Sequence, residues 1–433
     1  MTINRRSFVG YLGAVGAGAA LALESPAAAM LNSRTTLTPT AFANATGRVV
    51  VVGGGMAGTS AAKFLRLWGG PGLDVTLVDP NARYTSNIMS NLVLTGQRTL
   101  GSLRYARSAL ASSYGVQLIT SSATAVDAAA RQVRLADGSR LPYDRVVLAP
   151  GLRFDAIPGL TLADYTTRFP HAWQAGGQTT LLREQLLAMP AGGTFVMTIP
   201  AAPYRCPPGP YERASVIAAW LTANKPGSKV VVLDANPKIL AEPVAFTESF
   251  TVIHKGTVEY VPNAVIDHID PATKTVYTSA GAFRADVLNP IPPHRAGSIA
   301  ARTGLVNVLD RWVGVDVLSY ESTAVPGVHV LGDSIGTTQP KSGHMANAQA
   351  KVAADAIARL LSGRAVDPAP ATSSACYSPI TLTTASWLTG VFQYDPAAKA
   401  MAVKAIAEAP SITAQNYRDM TKWFTGLMND TFR

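Results

Sequence analysis

Cysteine is nearly absent from this chain: Cys206 and Cys376 are the two among 433 residues. One pair permits a single bridge at most, whether a structural staple or a redox couple. No Cys-x-x-Cys-His run occurs, so any haem in the system belongs to another chain, and no His/Cys/Asp cluster has metal-site spacing. Charged residues make up 15% of the chain, and Lys and Arg form no dense run interleaved with aromatics, which argues against nucleic-acid binding. Long apolar runs are missing too. No segment past the N-terminal region reaches, without charge, the length needed to cross a bilayer core of roughly 30 Å, so stable membrane insertion is not expected. What the chain has in quantity is core-forming residues. Its 48% hydrophobic content suffices for two or three globular domains and argues against disorder. The formal charge of +10 suits an acidic protein partner or an anionic substrate.

The N-terminus reads as an address. Asn4-Arg5-Arg6-Ser7-Phe8-Val9 precedes a weakly apolar stretch, Tyr11 to Leu23, and then the small residues Ser25-Pro26-Ala27-Ala28-Ala29. Paired arginines before such a stretch mark twin-arginine export to the periplasm. Cleavage is expected after Ala29 or, failing that, after Ala45, and residues 30–46 read as a linker.

Arg48-Val49-Val50-Val51-Val52 is a continuous apolar run of the kind buried in a parallel sheet. It flows into Gly53-Gly54-Gly55-Met56-Ala57-Gly58, a helix-like stretch from Thr59 to Leu67, and a second strand, Asp74 to Val78, that ends on Asp79. This is a βαβ unit with the dinucleotide fingerprint in its full context. Gly53 makes the tight turn, Gly55 lets a pyrophosphate approach, Gly58 lets the helix pack on the sheet, and Asp79 is placed to bond a ribose hydroxyl. Two later segments choose FAD. The strand from Tyr143 ending in Ala149-Pro150-Gly151 resembles the one that closes the FAD domain of two-dinucleotide-domain flavoproteins. Val328-His329-Val330-Leu331-Gly332-Asp333 resembles their strand whose acid bonds the ribityl chain.

A second dinucleotide-like unit follows, with strands Gly193–Ile199 and Lys229–Asp234 and a helix from Glu212 to Leu221 between them. Where a pyridine-nucleotide reductase carries glycines, the joint reads Pro200-Ala201-Ala202-Pro203-Tyr204-Arg205-Cys206-Pro207-Pro208-Gly209-Pro210. Proline has no N–H with which to cradle phosphate. The fold is kept and the nicotinamide site is not. That strand end faces the flavin in this fold, so Cys206 is expected beside the isoalloxazine. The segment Lys341 to Asn347 opens a helix running to Leu361, and its positive end, with Gly343, His344 and Lys341, is placed to offset charge on reduced flavin.

The run Tyr204 to Arg213 closely resembles the flavoprotein subunit of flavocytochrome c sulfide dehydrogenase, as do His171-Ala172-Trp173-Gln174-Ala175-Gly176 and Lys341 to Asn347. The resemblance extends from about Arg48 to the C-terminus. It implies an α/β fold of two Rossmann-like domains of the disulfide-reductase type plus a smaller C-terminal domain. It implies a redox-active disulfide between Cys206 and Cys376 over the flavin, Glu212 beside it as a proton acceptor, and Trp423 at the active site, with Trp387 as the alternative. It also implies hydrosulfide as substrate and a c-type cytochrome as electron acceptor. His171 and Trp173 read as structural. Some family members tether FAD through a cysteine just after the second strand; here that stretch is Tyr84-Thr85-Ser86-Asn87, so the flavin is expected to be non-covalent.

The expected domain plan is a signal over 1–29, a linker over 30–46, FAD-domain segments over 47–160 and 286–362, the second dinucleotide-like domain over 161–285, and a flavin-covering domain over 363–433. Two other functions compete. A sulfide:quinone oxidoreductase needs an amphipathic C-terminal membrane helix, for which the Ala-rich, modestly amphipathic stretch Ala397 to Ala409 offers too little. A flavoprotein that activates a partner thiosulfate-oxidising complex is compatible with the same residues.

Overall fold

The computed structural model describes residues 45–433. The expected export signal, and the linker up to residue 44, lie outside the described residues.

The chain opens with β1 (Gly47–Val52), α1 (Met56–Gly69), β2 (Leu73–Asp79), a one-turn helix α2 (Asn91–Leu94), β3 (Gln117–Thr120) and β4 (Arg145–Leu148). It continues through α3 (Gly177–Ala188), β5 (Thr194–Ile199), α4 (Gly209–Asn224), β6 (Lys229–Asp234), β7 (Val258–Val261) and β8 (Val287–Pro290). It then returns with β9 (Val315–Asp316), β10 (Glu321–Ser322), β11 (Val328–Val330) and α5 (Gly343–Leu361). The last elements are β12 (Ala371–Pro379), β13 (Ala385–Asp395), β14 (Ala400–Glu408) and α6 (Ala414–Phe432).

The first sheet runs β9-β10-β11-β4-β1-β2-β3, and the strands from β11 through β3 are all parallel. β1 lies at its centre, with Val49 to Val52 buried, because a parallel strand covered on both faces selects an unbroken apolar run. α5 lies along α1. Small side chains allow the approach: a Cβ on Gly332 would stand 3.3 Å from the Ala57 Cβ and 3.7 Å from that of Ala346. The second sheet, β7-β6-β5-β8, is parallel throughout.

Two expected boundaries move. Ile157 and Leu160 belong to the core of the second domain, and β8 pairs with β5, so that domain begins before residue 160 and runs through Pro290. The C-terminal segment is no free-standing unit. α6 buries Trp423, Phe424, Leu427, Met428 and Phe432 in the core of the first domain, while β12 packs against α5 and α4. The Ala-rich stretch near residue 400 is β14, not a helix. It pairs antiparallel with β13 and leaves Val403 and Ile406 exposed. Among the described residues, no helix is long and apolar enough to cross a membrane.

Candidate active site

Five segments converge on one cavity of about 1270 Å³, part of it open to solvent. They are the glycine loop with the start of α1, the Ala149–Gly151 strand end, the Cys206 loop with the start of α4, the Gly332–Asp333 turn with the start of α5, and β12 with α6.

The glycine loop fits a pyrophosphate. A Cβ on Gly53, whose φ is +101°, would stand 2.3 Å from the Ala149 carbonyl oxygen, and one on Gly58 would stand 1.8 Å from the Gly53 carbonyl oxygen. No side chain is tolerated at either point. Gly55 begins α1 without a side-chain cap and with no acid in the first turn, and Gly55, Met56 and Ala57 line the cavity. Uncapped amides at a helix N-terminus are an anion site. Beside it, Gly343, His344 and Ala346 present the start of α5, where the Ser342 hydroxyl accepts from the Met345 N–H at 3.1 Å. These residues fit FAD: phosphate against α1, and the ring system toward α5 and the cysteines.

The two cysteines come from different domains to the same wall. Cys206 has a left-handed backbone, φ +61°, a strained state that costs a non-glycine residue about 1–3 kcal/mol. The surrounding contacts hold it. The Cys206 N–H donates to the Lys341 carbonyl at 2.7 Å, and the Gly209 N–H donates to the Cys206 carbonyl at 2.9 Å. One residue earlier, the Arg205 N–H donates to His294 Nδ1 at 3.0 Å, and the Trp173 indole N–H donates to the Arg205 carbonyl at 3.1 Å. Gly209 must be glycine, because a Cβ there would meet the Cys206 sulfur at 2.8 Å. Cys376 sits in mid-strand on β12, opposite Leu388.

The bridge implied by the family resemblance is not formed in this structure, where both residues are thiols. Their surroundings favour that protonated state. Burial, then the Glu212 charge, pushes the Cys206 thiol up to about 12. Burial, then Cys206, Glu242 and Glu212, pushes Cys376 well above the usual thiol range.

Glu212, in the first turn of α4, also lines the cavity. Its carboxylate accepts from the Asn91 amide at 2.8 Å, and the buried guanidinium of Arg213 donates to the other end of Asn91 at 2.9 Å. Burial outweighs that hydrogen bond and lifts Glu212 to about 8. A carboxyl group titrating there can exchange a proton near neutral pH. Trp423 lines the cavity and donates its indole N–H to His344 Nδ1 at 3.3 Å, while Trp387 does not reach the wall. The Ala375 N–H donates to the same His344 nitrogen at 3.0 Å. The neutral ring therefore carries its proton on Nε2. Burial lowers its titration to about 4, so it stays neutral at ordinary pH.

Gly55, Gly151, Gly332, Asp333, Gly343 and His344 all reach the cavity; Gly53, Gly58, Asp79 and Lys341 do not. Gly53 and Gly58 shape the turn from behind. Asp79 acts as a staple for the loop: its carboxylate accepts the Gly54 N–H at 2.7 Å and the Asn81 N–H at 2.8 Å, and faces Arg107 at 3.5 Å. Its carboxylate therefore serves the loop's own amides rather than the cavity wall. Lys341 is also corrected. Its ammonium points away from the cavity, donates to the Asp333 carbonyl at 3.0 Å and to the Ile335 carbonyl, and lies 3.8 Å above Trp312. Burial lowers it to about 8. The carbonyls of the preceding Gly332–Ser334 turn and of Ile335 hold the side chain off the cavity wall.

Sequence reasoning missed Asn91, Arg205 and Glu242, and took Trp173 as structural although it lines the cavity. Arg205 Nη1 stands 3.5 Å from Asp333, linking the cysteine loop to the Gly332–Asp333 turn. Arg205 and Trp173 lie within runs that carry the resemblance, but the pairings of Asn91 with Glu212 and of Arg205 with Asp333 span more than a hundred positions.

The second dinucleotide-like domain is blocked at a further point. Asp234 ends β6, where nucleotide-binding versions of this fold hold a ribose. Here it is fully buried and accepts from the hydroxyls of Tyr211 and Tyr260, at 2.8 and 2.9 Å, and from the Asn236 N–H at 2.9 Å. NADH and NADPH at micromolar concentration are expected to leave the flavin oxidised. Anaerobic absorbance checks this, and rapid bleaching by either overturns it.

Two families match along the chain: pyridine nucleotide-disulphide oxidoreductase over residues 47–182, and the central region of the sulfide dehydrogenase [flavocytochrome c] flavoprotein chain over 179–292. A probable ferredoxin reductase of Castellaniella defragrans is 36% identical over 124 residues, 28% of this chain, and the match spans only 30% of that relative. The sulfide dehydrogenase [flavocytochrome c] flavoprotein chain of Chlorobaculum thiosulfatiphilum is 50% identical over 48 residues, which are 11% of this chain and 98% of that relative. Among solved structures, the sulfide:quinone oxidoreductase of Aquifex aeolicus superposes with a TM-score of 0.71 at 18% identity, covering 88% of this chain and 92% of the other. That likeness places the fold in the disulfide-oxidoreductase class. The chain is a flavin-dependent oxidoreductase of the sulfide-dehydrogenase and sulfide:quinone-oxidoreductase type. By its central region and its cavity-lining cysteine loop, it belongs to the family of the flavoprotein chains of flavocytochrome c sulfide dehydrogenase.

Proposed function

We propose that this chain is exported to the periplasm, holds FAD non-covalently and oxidises hydrosulfide to sulfur or polysulfide, with a c-type cytochrome taking the electrons. The observation that carries the reading is the meeting of Cys206 and Cys376, 170 positions apart, on one cavity wall beside a buried carboxyl group. The acceptor is assigned from the relative whose printed name is a flavocytochrome c chain.

The active form is the bridged one. Hydrosulfide attacks one sulfur of the Cys206–Cys376 disulfide; a new S–S bond forms, the old one breaks, and the second cysteine leaves as a thiolate. The persulfide proton passes to the ionised Glu212 carboxylate. FAD, when bound, supplies the two-electron acceptor for the thiolate. Gly55 and the start of α1 would hold its phosphates, Asp333 would receive a ribityl hydroxyl, and the start of α5 with neutral His344 would offset negative charge on the reduced group. Trp423 packs over the site and fixes His344.

The test is anaerobic reduction by sulfide followed by reoxidation with cytochrome c or with a soluble quinone. Cytochrome c is expected to be the faster acceptor by about tenfold or more, a difference of 1.4 kcal/mol in barrier. Preference for the quinone sinks the cytochrome assignment. Failure of sulfide to reduce the flavin, with restored thiosulfate turnover in a partner complex, makes the chain an activator. Acid should release the flavin intact, since no third cysteine exists to hold it.

A further inference from the structure

The carboxyl group of Glu212 is gripped at one oxygen only. Its Oε1 accepts from the Asn91 amide at 2.8 Å, and the side chain makes no other hydrogen bond among the described residues. Asn91 opens α2, 121 positions away in the chain, and both residues line the cavity. An asparagine amide has a donor end and an acceptor end of nearly one shape, so packing alone does not decide which meets Glu212. Here the decision comes from Arg213, whose Nε donates to Asn91 Oδ1 at 2.9 Å. A guanidinium has only donors, so the amide oxygen must face it and the NH2 group is left for the carboxylate. The Gly209 carbonyl, 3.3 Å from the same NH2 group, agrees with that orientation. Arg213 is itself fixed. It is 2% exposed, donates to the His171 and Ala172 carbonyls at 2.7 Å and to Asn289 Oδ1 at 2.9 Å, and lies 4.7 Å above the Trp173 ring. Asn289 is oriented in turn, its NH2 group donating to the Pro170 carbonyl at 2.6 Å and the His171 carbonyl at 3.0 Å.

We propose that Asn91 is a positioning residue for Glu212: its amide, oriented by Arg213, holds one carboxyl oxygen and leaves the other free to exchange a proton at the cavity. The inference deepens the reading of Glu212 as the proton acceptor beside the cysteines, and it rests on that reading.

A donor fixed on a carboxylate favours its ionised form. The Asn91 amide therefore works against burial, the largest influence on Glu212, and against the charge of Glu242 in the loop after β6. Arg213, the neighbour on α4, also favours ionised Glu212; burial lowers it to about 9, so it is still largely a cation where Glu212 titrates at about 8. Cys206 on its loop and Cys376 on β12 both feel Glu212 and are uncharged over that range, whether as thiols or as a bridge. The charges that act on Glu212 are thus Arg213 and Glu242, and Asn91 is the neutral group that donates to it. Removing that donor withdraws support from the ionised form, so the titration should rise.

The test reads the protonation of Glu212 directly in the FAD-loaded protein, from the infrared carboxyl band that is lost in Glu212→Gln, followed against pH. Asn91→Leu is close to the original in size and removes the donor. It is expected to raise the midpoint of that band by about one pH unit or more, a tenfold change in proton affinity. A midpoint that stays put or falls means that the contact only packs α2 against α4, and it overturns the proposal. If Asn91→Leu loses its flavin or fails to fold, Asn91→Asp keeps the size and gives Arg213 an oxygen to hold, while putting an acceptor where the donor stood. The midpoint should then rise by more than one unit, and an unmoved midpoint overturns the proposal as well. The titration does not require sulfide to be the substrate, so its failure is separate from failure of the proposed activity.

Discussion

Cys206→Ser and Cys376→Ser each lose sulfide-driven reduction of the flavin, by about 10³-fold or more, as removal of one member of a cooperating pair does. Neither variant can form the electrophilic disulfide. Both should still bind FAD, because the glycine loop, Asp333 and the start of α5 are built from other residues. Dithionite should bleach both at the wild-type rate, since it does not need the cysteines. A structural bridge predicts something else. Its loss typically costs about 2–5 kcal/mol of stability, while sulfide continues to reduce whatever remains folded. Stopped-flow absorbance on folded, FAD-loaded variants separates the two. Near-normal sulfide reduction in either variant removes the disulfide from the mechanism.

Gly58→Ala should abolish stable FAD binding although Gly58 never reaches the cavity. The added Cβ would stand 1.8 Å from the Gly53 carbonyl oxygen, so either α1 or the loop must move. Overpacking of this kind costs about 1–3 kcal/mol, and the movement displaces the amides that receive phosphate. Gly55→Ala is the informative contrast. Its Cβ has only Tyr84 nearby, at 3.8 Å, so the fold is undisturbed, while the methyl group enters the cavity itself. Gly58→Ala is expected to lower both the melting temperature and flavin content, and Gly55→Ala flavin content alone. Flavin-to-protein absorbance ratios after gel filtration, with thermal melts, read both. Full flavin content in Gly58→Ala would mean that the loop does not hold the phosphates.

Much of the frame was legible because its signals are local. The apolar run of β1, the glycines, and the strand ending at Asp79 fall within 33 positions and encode one βαβ unit. The proline-rich joint is a local signal of the same kind, since proline removes the amides that cradle phosphate wherever it stands. At Ala400–Glu408 local composition did not reveal the strand. Alanine favours helix, but a free edge on β13 was available, and tertiary pairing overrode propensity. Asp79 and Lys341 were misassigned in role for a related reason. A charged side chain takes the nearest satisfied arrangement: Asp79 found the Gly54 and Asn81 amides, and Lys341 found the Asp333 and Ile335 carbonyls.

By itself the sequence determined the two dinucleotide-like units, the lack of a glycine fingerprint in the second, and the limit of one cysteine pair, because each follows from residue chemistry along a short stretch. Tertiary structure alone decided that Cys376 reaches the cavity lined by Cys206, that Trp423 and not Trp387 reaches it with them, and that Glu242 is buried against Ser378. The reason is physical. Burial raises a carboxyl group or a thiol only when several segments close around it, and Glu242, Ser378 and Ser386 are brought together from a loop of one domain and two strands of another.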